Sequence, residues 1–80
     1  MLKVLLINPN EILYEGKAGS VVLPGEMGVF EILPGHKRII SRLFTGKIDI
    51  DDREYFIRRG LVTAEKNDVT IIAEDLNEEL

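Results

Sequence analysis

His36 is the only histidine in the chain and the only side chain that titrates near neutrality unaided, so a search for a base or a metal ligand starts there. It stands alone. Covalent catalysis by an alcohol needs a Ser or Thr beside an oriented base, and Ser20 and Ser41 carry no flanking motif such as G-x-S-x-G. Asp49, Asp51, Asp52 and Glu54 gather carboxylates in one short segment and raise the reading of a hard-cation site. A calcium loop places its oxygens at fixed intervals around an obligatory glycine, which D-I-D-D-R-E lacks. Alternation instead puts Asp49 and Asp51 on the solvent face of a hairpin strand. Neither GxxxxGK[ST] nor GxGxxG occurs, so phosphate cradling has no support. Two basic doublets, Lys37-Arg38 and Arg58-Arg59, read either as bidentate carboxylate contacts across an interface or as solubilising charge paired locally. The expectation from these residues is no catalytic residue, cofactor or metal ligand, and their types and spacing name no job.

Positioning these side chains falls to short strands. Two Leu-Pro-Gly triplets, Leu23-Pro24-Gly25 and Leu33-Pro34-Gly35, enclose an apolar run that closes on His36. Pro fixes φ at about −65° and removes a donor, and Gly permits φ > 0, so each Pro-Gly pair is expected to reverse the chain and end a strand. Val21 to His36 then reads strand, turn, short strand, turn. We expect Phe30 to enter the core and the tip from Met27 to Val29 to face a partner, the alternative being a tip that folds back inward.

Eighty residues fit one domain, and a domain that small hides only about 60–65% of the surface its unfolded chain exposes. Its core must be thin and continuous. The chain is 45% hydrophobic with no apolar run near the roughly 20 residues that cross a bilayer. The opening MLKVLLINPNE is too short for a signal h-region and no small-residue cleavage site follows, which predicts a cytosolic protein. Without cysteine, stability must come from packing and strand pairing. A net charge of −4 disfavours nucleic acid and anionic membrane as partners, leaving proteins and small molecules.

Along the chain, Leu2 to Ile7 is an apolar run stopped by Asn8-Pro9-Asn10 and reads as a strand. Glu11 to Lys17 and Ala18 to Leu23 follow as strands two and three. Lys37 to Phe44 suits a helical turn or a strand, and its shortness and the Thr45-Gly46 stop favour the strand. Ile48-Asp49-Ile50 and Tyr55-Phe56-Ile57 make one hairpin across Asp51-Asp52. Leu61 to Glu65 and Val69 to Ala73 make a second across Lys66-Asn67-Asp68. Such spacing predicts an all-β fold, a single flattened antiparallel β-sandwich of about eight to ten short strands. Leu5, Ile7, Val22, Phe30, Ile40, Ile57, Val62 and Ile71 are expected in its core. Glu74 to Leu80 is acidic and is expected to fray.

Leu23 to His36 resembles the signature of the epsilon subunit of F-type ATP synthases, where a pattern close to L-P-G-x-x-G-E-F-G-[VI]-L-P-G-H-A-P-L lies in the N-terminal β-sandwich. The matching residues are Leu23, Pro24, Gly25, Gly28, Phe30, Ile32, Leu33, Pro34, Gly35 and His36. Pro9, Leu13, Tyr14 and Gly16 resemble the family's P-E-x-x-[LM]-F-x-G, and Gly46 with Ile48 its P-G-x-[VI]-x-[VI]. Tyr55-Phe56-Ile57, Gly60 and Val62 resemble its F-x-V-x-G-G-x-[VL]-E-V, and Asn67 to Glu74 its N-x-V-T-V-L-A-[ED]. The blocks keep their order through nearly the whole chain. Departures fall at Val29, Glu31, Lys37, Arg38, Arg58 and Arg59, at turns and strand ends where neighbours would be met.

The resemblance implies a sandwich domain over 1–74 and an acidic tail over 75–80. It implies a non-catalytic rotor subunit of the central stalk, linking the gamma subunit to the membrane c-ring and coupling proton- or sodium-driven rotation to ATP synthesis. The place implied is the cytoplasmic face of the cell membrane, peripheral and through the complex. Met27, Gly28 and Val29 are then expected at the ring, and Pro34, Gly35 and His36 at gamma. Family members usually continue into a two-helix hairpin, whereas seven residues follow Ala73 here and would span roughly 10 Å as a helix. The expectation is a subunit without a hydrolysis-inhibiting arm or a nucleotide site. The competing reading is a free-standing β-sandwich that binds a small ligand or divalent cation through the acidic hairpin.

Overall fold

The first strand, β1 (Leu2–Ile7), ends where Asn8 turns the chain: its Oδ1 accepts the backbone N–H groups of Asn10 and Glu11, at 2.7 Å each. That local alternative to the ladder is what Asn offers a turn, and it returns the chain as β2 (Ile12–Ala18), antiparallel to β1. The computed structural model describes residues 1–75, and its remaining strands are β3 (Val21–Gly25), β4 (Gly28–Ile32), β5 (Ile39–Leu43), β6 (Gly46–Ile50), β7 (Arg53–Glu65) and β8 (Asp68–Asp75). Among the described residues no helix occurs. The eight strands form one sheet in the order β2-β1-β8-β7-β5-β3-β4, with β6 paired to β3 and β7. The molecule is flattened, with extents of 40 × 26 × 20 Å.

The sheet wraps because two strands each serve two neighbours along one edge. β7 pairs through Arg53–Ile57 with β6 and through Gly60–Ala64 with β5, while β3 pairs with β6 at Val21 and Val22 and with β5 at Gly25. The concave side carries Leu2, Val4 and Leu6 of β1, Val21 and Leu23 of β3, Ile48 and Ile50 of β6, and Val69 and Ile71 of β8, all essentially inaccessible to water. Each such side chain contributes about 1.5–3 kcal/mol by leaving solvent, which is the main term available to a chain without cysteine.

The all-β sandwich and the strand over Lys37 to Phe44 are as the sequence predicts, and four details differ. First, β1 and β8 run parallel in a sheet expected to be antiparallel, since the first strand lies beside the last. Second, Ile57, Val62 and Ile71 are buried as expected and Phe30 packs against the core, but Leu5, Ile7 and Val22 are only half-buried and Ile40 is exposed. β1, β3 and β5 carry apolar residues on both faces, so pattern alone does not fix which face turns inward. Third, the Leu61 hairpin and the Tyr55 hairpin share one continuous strand, β7, because Arg58, between Ile57 and Arg59, makes a bulge rather than a break. The Thr45 hydroxyl donates to the Arg58 carbonyl there, at 2.8 Å.

The fourth difference concerns Pro24-Gly25, expected to be a reversal and found inside β3. The turn falls one step later, at Glu26-Met27, with Gly25 opposite Gly28. Pro24 is tolerated because β3 has left β6 after Val22 and reaches β5 only at Gly25, so no neighbour needs its missing N–H. Its carbonyl still accepts from Phe44 N, at 2.9 Å. Pro34-Gly35 does reverse the chain: Gly35 takes φ of 86° and His36 N–H bonds back to Leu33 O at 3.3 Å, a type II turn. β8 runs to Asp75, where the acidic tail was expected to begin; residues 76–80 lie outside the described residues.

Candidate partner interface

The hairpin of β3 and β4 presents Met27 and Val29 to solvent, 98% and 75% exposed. Beneath them Phe30 lies over Gly25, so closely that a Cβ on Gly25 would stand 2.5 Å from Cε1 of the ring. The ring thus packs directly on the backbone at the base of the tip. Gly28, at φ of 117°, completes the turn and is itself exposed. The Arg42 guanidinium of β5 pairs with Glu26 at the turn and ties the tip to the neighbouring strand.

The second expected contact, Pro34, Gly35 and His36, forms a separate loop between β4 and β5. Gly35 N–H donates to Oδ1 of Asn67 in the β7–β8 turn at 3.1 Å, so the loop is fastened to that end of the sheet. Pro34 and Gly35 are exposed and His36 is half-buried. Its Nδ1 meets the Lys37 carbonyl oxygen, which makes Nδ1 the donor, and Nε2 is covered with no partner among the described residues. The ring is held by its own loop. Ser41 donates its hydroxyl to the Arg42 carbonyl, so the structure does not bring it to His36 as a nucleophile–base pair.

The acidic hairpin disperses its carboxylates. Asp51, in the left-handed region at φ of 53°, accepts N–H bonds from Gly19 and Ser20 at 3.0–3.2 Å and so anchors the β2–β3 connection. Asp49 and Glu54 flank Lys47, with Glu54 at 3.2 Å. The hydrogen bond that Lys47 Nζ donates to Glu54, then the charges of Asp49 and Glu54, raise the Lys47 pKa above its ordinary value. Among the described residues no group of three or more His, Cys, Asp or Glu is placed to hold a metal ion. Of the basic doublets, Arg59 pairs with Glu74 at 2.9 Å, while Lys37 and Arg38 lie exposed in the loop before β5.

One feature escaped the sequence reading. On the convex side, register lines up Ile7 with Ile72 and Ile72 with Leu61, and in the next row Leu5 with Thr70, Thr63 and Ile40. Ile40, Leu61 and Ile72 are 63%, 40% and 49% exposed. An apolar strip thus runs over β1, β8 and β7 through Ile7, Ile72 and Leu61, with Ile40 of β5 beside it across Thr63. The signal lies in nearly unbroken apolar runs, LKVLLI above all with its single lysine, which put apolar residues on both faces of a strand.

The fold is thus a wrapped all-β sheet with an exposed apolar tip, a loop fastened to one end and apolar residues on its convex face. The comparisons with known proteins give it a family. A family profile described as "ATP synthase, Delta/Epsilon chain, beta-sandwich domain" matches residues 1–79, and the chain belongs to that family. It is 36% identical over 78 residues to the ATP synthase epsilon chain of Sulfurimonas denitrificans, which covers 91% of this chain and 60% of that protein. It is 35% identical to the ATP synthase epsilon chain of Bordetella parapertussis, over 91% of this chain and 56% of that one. The chain therefore spans about 60% of the length of the curated relatives it matches. In fold it is similar to a chain of the Tetrahymena thermophila mitochondrial ATP synthase central stalk and c-ring, with a TM-score of 0.78 at 14% identity, covering 92% of this chain and 63% of that one. A chain of the Euglena gracilis mitochondrial ATP synthase superposes with a TM-score of 0.81 at 18% identity, over 99% of this chain and 56% of that one. Among the described residues no helix is long and apolar enough to cross a membrane.

Proposed function

We propose that this domain is the rotor-borne sandwich of an ATP synthase epsilon chain, a non-catalytic part of the central stalk that links the gamma subunit to the c-ring and passes ring rotation to the catalytic head. The observation that carries the reading is the tip: Met27 and Val29 are exposed on a two-residue hairpin whose base is closed by Phe30 packed over Gly25. A contact that bears torque needs a surface that does not yield, and a short hairpin clamped at its base supplies one. Met27, Gly28 and Val29 face the ring in this reading, and the Pro34, Gly35, His36 loop faces gamma. In this reading the domain lies peripherally at the cytoplasmic face of the cell membrane, held there through the complex.

The test is co-purification from membranes that carry the assembled complex. Met27→Asp with Val29→Asp places charge on exposed positions and leaves the fold intact, so ring subunits are expected to fall away while gamma is retained. Replacing His36 with Ala is expected to weaken recovery of gamma. Unchanged recovery of the ring with the doubly substituted tip sinks the assignment of the tip; absence of both gamma and ring with the unaltered protein sinks the rotor reading itself.

A further inference from the structure

The sheet has two outer strands, β2 and β4, and they are defended differently. β2 is interrupted by a register shift where it leaves β1 and carries Glu15, Gly16 and Lys17 in sequence. Charge, glycine and irregularity are the usual means by which a sheet edge avoids pairing with another chain. β4, with sequence GVFEI, has no lysine, no proline and no bulge. Gly25 and Gly28 flank the two-residue turn and form its closing hydrogen-bonded pair, so alternation turns the N–H and C=O groups of Val29 and Glu31 away from β3.

The space beside that edge is shaped. A groove of about 370 Å³ runs between Met27, Val29 and Phe30 of the hairpin and Ile39 and Ser41 of β5. β5 pairs with β7 along its length but with β3 only at Gly25↔Leu43, so its second edge too is without a strand partner over most of its residues. The groove is lined by residues of the β3–β4 hairpin, whose outer strand has one open edge, and by residues of β5, which also lacks a second partner over most of its length.

We propose that the open edge of β4 takes up an extended segment of a partner protein, one that adds a strand beside Val29 and Glu31, lays apolar side chains into the groove and brings a basic residue to Glu31. Backbone groups supply the pairing and the groove selects alternate side chains, as in other strand-addition sites. The basic residue follows from charge: Glu31 is exposed, makes no ion pair among the described residues, and belongs to a chain of net charge −4. The same charge argues against a second copy of this chain, whose own Glu31 would be brought to the same edge. A folded hairpin from another copy would also meet β4 from outside and leave the groove empty. The proposal uses only β4 and its groove and stands whether or not the tip meets a ring.

The experiment follows backbone amide exchange by NMR in the full chain, with and without a short synthetic peptide that alternates Val and Lys. Exchange of the Val29 and Glu31 amides is expected to slow about tenfold at saturating peptide, with β2 unaffected. A peptide alternating Val and Glu is expected to give no protection, and Glu31→Lys to reverse the preference between the two. No protection at Val29 and Glu31 with the Val-Lys peptide overturns the proposal, as does equal protection by both peptides or protection confined to β2. Protection that grows with protein concentration alone assigns the edge to a second copy and overturns it as well.

Discussion

The two Leu-Pro-Gly triplets are identical in sequence and opposite in role. Leu23-Pro24-Gly25 stays in the sheet: Leu23, Pro24 and Gly25 are buried, and Gly25 is needed because Phe30 occupies the space of its missing side chain. Leu33-Pro34-Gly35 leaves the sheet: all three are exposed, nothing stands within 4 Å of where a Gly35 Cβ would be, and Gly35 is needed for its backbone, at φ of 86°. One glycine answers to a neighbour and the other to its own dihedral angle. Local sequence says only that glycine is wanted; the register of the surrounding strands decides why.

The largest effect is expected from Gly25→Ala. The new Cβ would stand 2.5 and 2.7 Å from Phe30 ring carbons and 3.3 Å from Gly28 O, so the ring must leave its place over the core. Overpacking of this kind costs about 2 kcal/mol, read as a lower midpoint in urea unfolding. Phe30→Leu in the same chain is expected to recover part of that loss, because the branched aliphatic side chain leaves room where the ring does not. If Gly25→Ala costs the same with and without the ring, close approach is not what Gly25 is for, and the contrast between the two triplets fails.

Much of this fold is legible in the sequence, and the illegible parts share a cause. β7 and β8 alternate cleanly over Val62, Thr63, Ala64 and Glu65 and over Val69, Thr70 and Ile71, and both the strands and their buried faces follow from the pattern. β1, β3 and β5 do not alternate, because a convex side that is itself apolar needs no polar residues. The features that hide the inward face of Leu5 and Ile40 are therefore those that make the apolar strip. The tip was legible through Met27 and Val29, apolar residues in a turn. The place of Pro24 inside a strand is not legible locally, because a proline in a strand is permitted by the absence of a neighbour, and neighbours are set by strands far along the chain.

Gly35→Ala is expected to cost less, about 1 kcal/mol, because the strain of a left-handed backbone is all it introduces. For a domain of this size that lowers Tm by about 4–8 °C. Gly35→Asn, a residue that tolerates this region, is expected to fall between Gly and Ala, and Phe30→Leu is expected to leave the cost of Gly35→Ala unchanged. Thermal unfolding of the five chains, the unaltered protein, the three single variants and Phe30→Leu combined with Gly35→Ala, checks both statements. Rescue of Gly35→Ala by Phe30→Leu would couple the two triplets and erase the distinction.

The smallest effect tests whether the outer triplet is held at all. Asn67 bonds twice: its Oδ1 accepts from Gly35 N at 3.1 Å, and its carbonyl accepts from Lys3 N at 2.7 Å. Replacing Asn67 with Ala deletes only the first. The lost bond is exposed and water can replace it, so global stability is expected to change by no more than about 0.5 kcal/mol. Local opening is a different quantity from global unfolding, and a solvent-exposed loop held by one side-chain bond belongs at the low end of it. The Gly35 amide is therefore expected to exchange several-fold faster, while the Lys3 amide, still bonded to the Asn67 carbonyl, and the Gly25 amide, inside the sheet, keep their rates. Faster exchange at Lys3 as well would mean that the side chain shapes the whole β7–β8 turn. An unchanged rate at Gly35 would mean that the Pro34-Gly35 turn holds itself, by the bond from His36 to Leu33 and the fixed angle of the proline, without help from the sheet.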